Sequence, residues 1–281
     1  MSANKVSSIK NYLIMHGKVV KNTEINTGHF LLSVKLPGAF QTPVPGQFVM
    51  VREEGRSYPL LGRPFSVYSI DRSKGTAKVE ILYKVVGKGT VFLSRLKRGD
   101  LLEIFGPYGR GFEIFPQVGK VVLICGGIGV APIAFLASHY RRLVDIRNVE
   151  LICYYGAKST ENLVGLENIK GYCSKVFIST DDGSMGYNGF VTEMFVNDIL
   201  SYDQENTKIY ACGHRPMLKR LSELLIGNHP SCQVLIEERM ACGIGVCLGC
   251  AVRTSDKEGK GTYLRACKDG PVFNIQDIAW D

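Results

Sequence analysis

The chain of 281 residues holds one tryptophan, five histidines and no run of five like charges. The histidines, at 16, 29, 139, 214 and 229, share no spacing suited to a metal ion. A membrane span needs about 20 apolar residues, and none is present. Val121 to Ser138 carries no charge, but Gly126, Gly127, Gly129 and Pro132 interrupt it, so a strand, a glycine turn and a buried helix explain it better. Met1 to Lys10 is polar and lacks the apolar centre of a secretory signal, so a cytoplasmic chain is expected. The net charge of +8 is spread along the sequence and reads as a solvated surface, not as a footprint for nucleic acid. No internal repeat and no low-complexity segment is visible.

Cysteine, by contrast, is abundant. There are nine, at 125, 153, 173, 212, 232, 242, 247, 250 and 267, and an odd count excludes a fully paired disulfide scaffold within one chain. Four of them crowd between Cys242 and Cys267. Clustered cysteines without a secretory signal point to metal or redox chemistry.

The length suggests about two domains, and three textures appear along it. Residues 12–114 carry short β-rich runs, among them Phe30–Val34, Phe48–Val51, Ser66–Ile70, Ala77–Val86 and Leu101–Phe105, with one short helix near Thr90–Leu96. Glycine, proline and aspartate separate them, which predicts an antiparallel barrel. Residues 118–229 alternate unbroken apolar strands (Val121–Cys125, Leu151–Tyr155, Val176–Thr180, Lys208–Ala211) with helical stretches (Ile133–Leu143, Phe190–Ile199, Pro216–Leu225). That pattern predicts a parallel sheet covered on both faces. Residues 232–281 are too few for an independent core and hold the cysteine cluster. The fold class is therefore a multidomain α+β and α/β chain: a β-barrel, a parallel-sheet nucleotide domain and a small cysteine-rich tail.

The tail reads Cys242-x4-Cys247-x2-Cys250-x16-Cys267. Its first three cysteines have the spacing of plant-type [2Fe–2S] sites, with the fourth further on. Gly243, Gly245 and Gly249 allow the loop to curl and bring amides to the sulfurs. A structural zinc site is the rival, but zinc ribbons use paired C-x2-C knuckles and only Cys247 and Cys250 form one. Inert buried thiols would not need the glycines.

Two further segments suggest flat or phosphorylated ligands. Arg63-Pro64-Phe65-Ser66 opens a strand and offers a guanidinium for phosphate, a ring and a hydroxyl for a heterocycle. Tyr83-Lys84-Val85-Val86-Gly87-Lys88-Gly89-Thr90 closes a strand and opens a helix, with glycine amides for a pyrophosphate and Thr90 as candidate cap. Taken singly, each is matched by an ordinary turn and cap. Gly126-Gly127-Ile128-Gly129-Val130-Ala131-Pro132 follows a strand; Gly127 and Gly129 match two glycines of a dinucleotide fingerprint, and Pro132 stands where the third belongs. Asp181, after a later strand, suits a ribose hydroxyl. No arginine pair awaits a 2′-phosphate, although Lys158 is a candidate, so NAD is favoured over NADP. Cys212 ends a central strand where a nicotinamide can lie, and is the candidate catalytic thiol; a buried small residue before a turn is the bland alternative. His214 reads as a loop histidine.

Together these motifs resemble the ferredoxin–NADP reductase superfamily, and within it the electron-transfer subunits of NAD-linked, two-component dihydroorotate dehydrogenases. The similarity runs from about His16 to Phe273 and is most specific in Glu237–Cys250 and Ala266–Phe273. It implies FAD on the barrel, held by Arg63, Pro64, Phe65, Ser66, Tyr83, Lys84, Val85, Gly89 and Thr90; NAD on the α/β domain; and a [2Fe–2S] cluster on Cys242, Cys247, Cys250 and Cys267. It also implies a partner, an FMN-binding dihydroorotate dehydrogenase catalytic subunit, in a heterotetramer with two chains of each kind. One departure is Phe65, where the superfamily has tyrosine. Subunits serving a sulfite reductase, a hydrogenase or a sulfide dehydrogenase remain the alternative with the same cofactors, and a zinc-stabilised binding module is a further one.

Overall fold

The computed structural model describes residues 14–280 except 56–59, 74, 148, 228 and 256–260. Residues 12, 13 and 281 of the expected domain limits lie outside them. The first unit contains β1 (Ile14–Asn26), β2 (His29–Pro37), β3 (Phe48–Glu53), β4 (Arg63–Ser66), β5 (Ser69–Ser73), β6 (Thr76–Lys84), helix α1 (Lys88–Ser94) and β7 (Leu101–Tyr108). Its seven strands form one antiparallel sheet in the order β4-β3-β7-β1-β2-β6-β5.

The edge strands β4 and β5 are joined by Val67 and Tyr68 alone, so the sheet must curl until its two edges meet. The seam is visible in the backbone: the Val67 amide donates to the Gln47 carbonyl and the Tyr68 amide to the Glu80 carbonyl. The expected single strand Ser66–Ile70 is thus two strands with a buried corner between them. Pro64 fits because β4 is an edge strand, where a missing amide leaves no rung unpaired.

The second unit contains β8 (Lys120–Gly126), α2 (Val130–Arg147), β9 (Glu150–Ala157), α3 (Leu166–Tyr172), β10 (Lys175–Thr180), β11 (Tyr187–Asn188), α4 (Val191–Val196), β12 (Thr207–Cys212), α5 (Arg215–Leu224) and β13 (Cys232–Leu235). The tail adds a hairpin, β14 (Ala251–Thr254) with β15 (Thr262–Arg265), and then β16 (Val272–Asn274). The large sheet runs β11-β10-β9-β8-β12-β13-β16 and is parallel except for β16.

Sheet membership differs here from the sequence boundary at 232. β13 is the sixth parallel strand of the nucleotide sheet, and β16 returns from the tail to pair antiparallel with it, Leu235 opposite Val272. The reversal of strand order falls between β8 and β12, which opens a crevice at their carboxyl ends where α/β sheets bind ligands.

The units share their cores. Tyr68 and Leu82 of the curled sheet pack in one apolar cluster with Leu163 and Val164 of the second unit. Phe48 and Met50 pack with Cys250, Ala266 and Cys267 of the tail. Among the described residues no helix is long and apolar enough to cross a membrane.

Candidate functional site

A cleft of about 580 Å³ lies where the curled sheet, the carboxyl ends of the parallel strands and the tail converge. Arg63 to Ser66 of β4 form one wall, Tyr83, Lys84, Gly89 and Thr90 another, and Pro132 of the glycine turn faces them. Two stretches distant in sequence interlock here. A Cβ on Gly89 would lie 3.0 Å from Nε of Arg63, so the glycine is what lets the arginine pass across the start of α1. The Arg63 guanidinium also donates to the Leu61 carbonyl at 2.9 Å, which fixes its course. Phe65 packs edge-on against Tyr83, ring centres 5.8 Å apart, and the Tyr83 hydroxyl donates to the Asn22 side-chain oxygen. Burial raises the Tyr83 phenol to about 12, so it stays a neutral donor.

Two details correct the sequence reading of this wall. Gly87, not Thr90, caps α1. The Thr90 hydroxyl instead accepts from the amides of Val86 and Gly87 and donates to the Gly87 carbonyl, so it braces the turn. Val86, Gly87 and Lys88 line the cleft, whereas Val85 does not and is tied by its amide to the Gly28 carbonyl.

The glycine turn matches its expected form. Gly127 has φ +52, a left-handed value that favours glycine, and Pro132 lies in the first turn of α2. Gly129 sits so close to β12 that a Cβ would fall 2.4 Å from the Cys212 carbonyl oxygen. Neither glycine lines the cleft itself; Ile128, Ala131 and Pro132 do. Cys212 lies directly across from Cys125 in the β8–β12 ladder and is fully buried just behind the cleft wall. Burial, with Glu237 nearby, pushes its thiol well above the ordinary value, so the sulfur is protonated. Asp181 is remote from the cleft, exposed at the end of β10.

Residues to which the sequence reading gave no role in the site also line the cleft: His214, read as a loop histidine, at the cap of α5, and Glu237, Glu238 and Met240 where the tail begins. Glu237 is exposed where the cleft stands open, yet the crowding walls raise its carboxyl above the ordinary range, and His214 offsets part of the rise. The sign follows from proton linkage. The folded chain holds this proton where the unfolded chain has released it, so stability falls as pH rises through the raised value. Relative to wild type, Glu237→Gln is therefore expected to gain melting temperature progressively as pH rises from the ordinary glutamate range towards neutrality. A constant difference across a thermal-melt series would contradict this.

The tail cysteines meet beside the flavin-like wall. Gly243 approaches β3 so closely that a Cβ would lie 2.7 Å from Cγ of Met50, and Met50 pairs opposite Pro64. Gly243 and Gly245 have φ of +70 and +83, and Leu248 is left-handed at +60, which coils the loop around its thiols. Amides point at sulfur: Gly249 donates to Cys247 at 3.5 Å and Cys267 to Cys250 at 3.4 Å. Burial opposes charge on Cys242, but the amides of Cys247, Ile244 and Val246 and the Cys247 thiol outweigh it and bring it down to about 6. Burial and the neighbouring Cys250 raise Cys267 to about 12. Arg265 clamps the arrangement, with Nε 2.8 Å from Asp269 and a second nitrogen donating to the Gly245 carbonyl.

The thiols approach as two pairs, Cys242 with Cys247 and Cys250 with Cys267. Among the described residues no three His, Cys, Asp or Glu side chains converge as a single ion requires. Four thiols in two pairs, with amides aimed at sulfur, fit a two-iron cluster.

Fold and site together define a ferredoxin reductase-like oxidoreductase that carries flavin, nicotinamide and an iron–sulfur centre. The NADH-dependent reduced ferredoxin–NADP oxidoreductase structure superposes with TM-score 0.78 at 26% identity, covering 94% of this chain and 90% of that one. A ferredoxin NADP+ reductase from Neisseria gonorrhoeae shares the fold at TM-score 0.61 and 19% identity, over 76% of this chain and 90% of that one. Three family models match in succession: an oxidoreductase FAD-binding domain at 16–112, an oxidoreductase NAD-binding domain at 123–223, and the iron–sulfur cluster binding domain of dihydroorotate dehydrogenase B at 237–279.

Among curated relatives, the dihydroorotate dehydrogenase B (NAD(+)) electron transfer subunit of Caldanaerobacter subterraneus subsp. tengcongensis is 38% identical over 94% of this chain and 98% of its own. That of Clostridium acetobutylicum is 38% identical over 91% and 93%. The chain belongs to the family of dihydroorotate dehydrogenase B electron transfer subunits.

Proposed function

We propose that this chain relays electrons between an FMN-binding catalytic subunit, which oxidises dihydroorotate, and NAD, by way of a [2Fe–2S] cluster and FAD, in cytoplasmic pyrimidine biosynthesis. The observation that carries this reading is the meeting of three chemistries at one place: Met50 touches the cysteine loop and pairs with Pro64 of the flavin-like wall, while Pro132 of the glycine turn faces that wall. Bound flavin supplies the exchange between two-electron hydride chemistry and one-electron transfer, which no side chain provides.

The protein's own residues hold and orient. Arg63 and the Gly87–Gly89 amides suit the pyrophosphate of FAD, and Phe65 and Tyr83 offer an apolar bed for its ring. Pro64, Ser66 and Lys84 complete the flavin segment, and Val85 anchors it from outside the cleft through its amide. Gly127 and Gly129 bring the start of α2 to the pyrophosphate of NAD, Asp181 receives a ribose hydroxyl, and Cys212 backs the nicotinamide with a neutral thiol. Cys242, Cys247, Cys250 and Cys267 ligate the cluster. Domain limits of 12–114, 118–229 and 232–281 describe the three cofactor units, with β13 lent to the second sheet.

The test is copurification of the tagged holoprotein from its native cells, followed by NAD reduction with dihydroorotate. Recovery of an FMN-binding subunit in equal number, as in a heterotetramer of two chains of each kind, is expected. Recovery of a sulfite reductase, hydrogenase or sulfide dehydrogenase subunit instead would reassign the partner.

A further inference from the structure

The tail cysteines lie on separate stretches of chain, and one side chain spans them. Arg265 ends β15 and opens the turn that bears Cys267, where its carbonyl accepts from the amides of Lys268, Asp269 and Gly270. Asp269 closes that turn by accepting from the Arg265 amide at 2.9 Å. The same carboxylate takes the guanidinium in a fork, with Nε 2.8 Å from one oxygen and Nη2 3.2 Å from the other. Two of the three guanidinium nitrogens are thereby held, and with them the plane of the group. The third, Nη1, reaches the loop that bears Cys242 and Cys247 and donates to the Gly245 carbonyl at 3.0 Å.

This last bond controls the orientation of a peptide. The bond between Gly245 and Val246 is trans, so its carbonyl and its amide point in opposite directions. The Gly245 carbonyl faces Arg265, and the Val246 amide, on the far side of the same peptide, faces the Cys242 sulfur. Side-chain packing does little to hold this unit, because Gly245 has no side chain and Val246 is 75% exposed. Arg265 supplies what packing does not. A positive group on the carbonyl also polarises the peptide and strengthens the donor at its other end. Reduction adds negative charge to a cluster, so a donor aimed at a ligand sulfur favours the reduced form.

We propose that Arg265 is a positioning residue that raises the reduction potential of the cluster, acting through the Gly245–Val246 peptide while Asp269 cancels its charge. The proposal rests on the reading that Cys242, Cys247, Cys250 and Cys267 ligate a [2Fe–2S] cluster.

The experiment is a redox titration of the purified holoprotein, with iron and flavin content verified and the reduced cluster followed by electron paramagnetic resonance. The variants are Arg265→Met, the double variant Arg265→Met with Asp269→Asn, and Arg265→Lys. The double variant removes one cation and one anion together, so its net charge is that of wild type while the link to Gly245 is gone. Arg265→Met is expected to lower the equilibrium constant for one-electron reduction about tenfold, a midpoint roughly 59 mV more negative. Part of that loss comes from the Asp269 charge left uncompensated. The double variant is expected to remain at least about threefold below wild type, as loss of one hydrogen bond predicts. A double variant back at the wild-type midpoint overturns the proposal, because charge alone would then account for Arg265. So does Arg265→Met at the wild-type midpoint. Should the methionine variants lack iron, Arg265→Lys carries the test, since an ammonium keeps the charge but lacks the planar fork that serves both partners. Its midpoint is expected to fall below wild type, and a wild-type midpoint there overturns the proposal. A wild-type protein that holds flavin but no iron overturns the cluster reading itself, and this proposal with it.

Discussion

Cys250→Ser is expected to remove the cluster while leaving the flavin in place. Cys250 is buried against Phe48, Met50 and Ala266, and its sulfur already accepts the Cys267 amide. A serine oxygen is a harder and shorter ligand, and it sits in a pocket shaped for sulfur. Outer-shell substitutions at metal sites cost roughly 10–100-fold in affinity or activity, and removal of a direct ligand should exceed that. The purified variant should contain FAD and lack iron. Electron delivery from the catalytic partner subunit should fall more than about a hundredfold, beyond the outer-shell range. Iron and flavin both at wild-type content would show that Cys250 is not a ligand. Flavin lost together with iron would instead reveal that the tail is needed to hold the curled sheet around its ring.

Gly129→Ala should be a severely damaging single methyl group in the nucleotide unit. The new Cβ would stand 2.4 Å from the Cys212 carbonyl oxygen, 2.7 Å from its carbon and 3.0 Å from the Gly213 nitrogen. All three are backbone atoms of β12 or its end, so no rotamer change relieves the clash. Relief requires the glycine turn to move away from the end of β12. Overpacking of this kind costs about 1–3 kcal/mol or more, and for a chain of this size each kcal/mol lowers the melting temperature by roughly 2–4 °C. NAD binding should fail with it, because the same movement displaces the turn. Gly127→Ala is the control. Its Cβ has only Nε2 of His214 near it, at 3.7 Å, so the cost is that of a left-handed alanine, about 1–2 kcal/mol. Equal effects of the two substitutions in thermal melts and NAD titrations would refute the steric account.

These contacts also explain how much of the molecule was legible beforehand. The parallel sheet was readable because strands buried on both faces are written as unbroken apolar runs, as in Val121–Cys125. The cysteine spacing announced the cluster, since ligand geometry constrains a short loop directly. β1 was not readable. Of its first seven residues only Gly17 and Val19 are fully buried, and Gly17 is there because a Cβ would lie 2.5 Å from Val34. A glycine at an inward position erases the alternation by which a strand is recognised.

β13 was missed for a different reason. Cys232–Leu235 is too short to separate from the tail, and what makes it a sheet strand is pairing with β12 and β16, both distant in sequence or known only after folding. In the cleft, Glu237 and His214 carried no local signal. Their importance comes from facing β4, which is distant in the chain.

The return of β16 to β13 bears on the order in which the molecule is assembled. The segment between Leu235 and Val272 leaves and rejoins the same sheet edge, so its ends are pinned whether or not its thiols hold anything. Bringing the ends of a flexible segment together is an entropic cost that grows with length, and here the pairing of β13 with β16 offsets part of it through backbone alone. The segment thereby returns its two pairs of thiols to a fixed sheet edge, and a chain stripped of its cluster is expected to keep the pairing of β13 with β16.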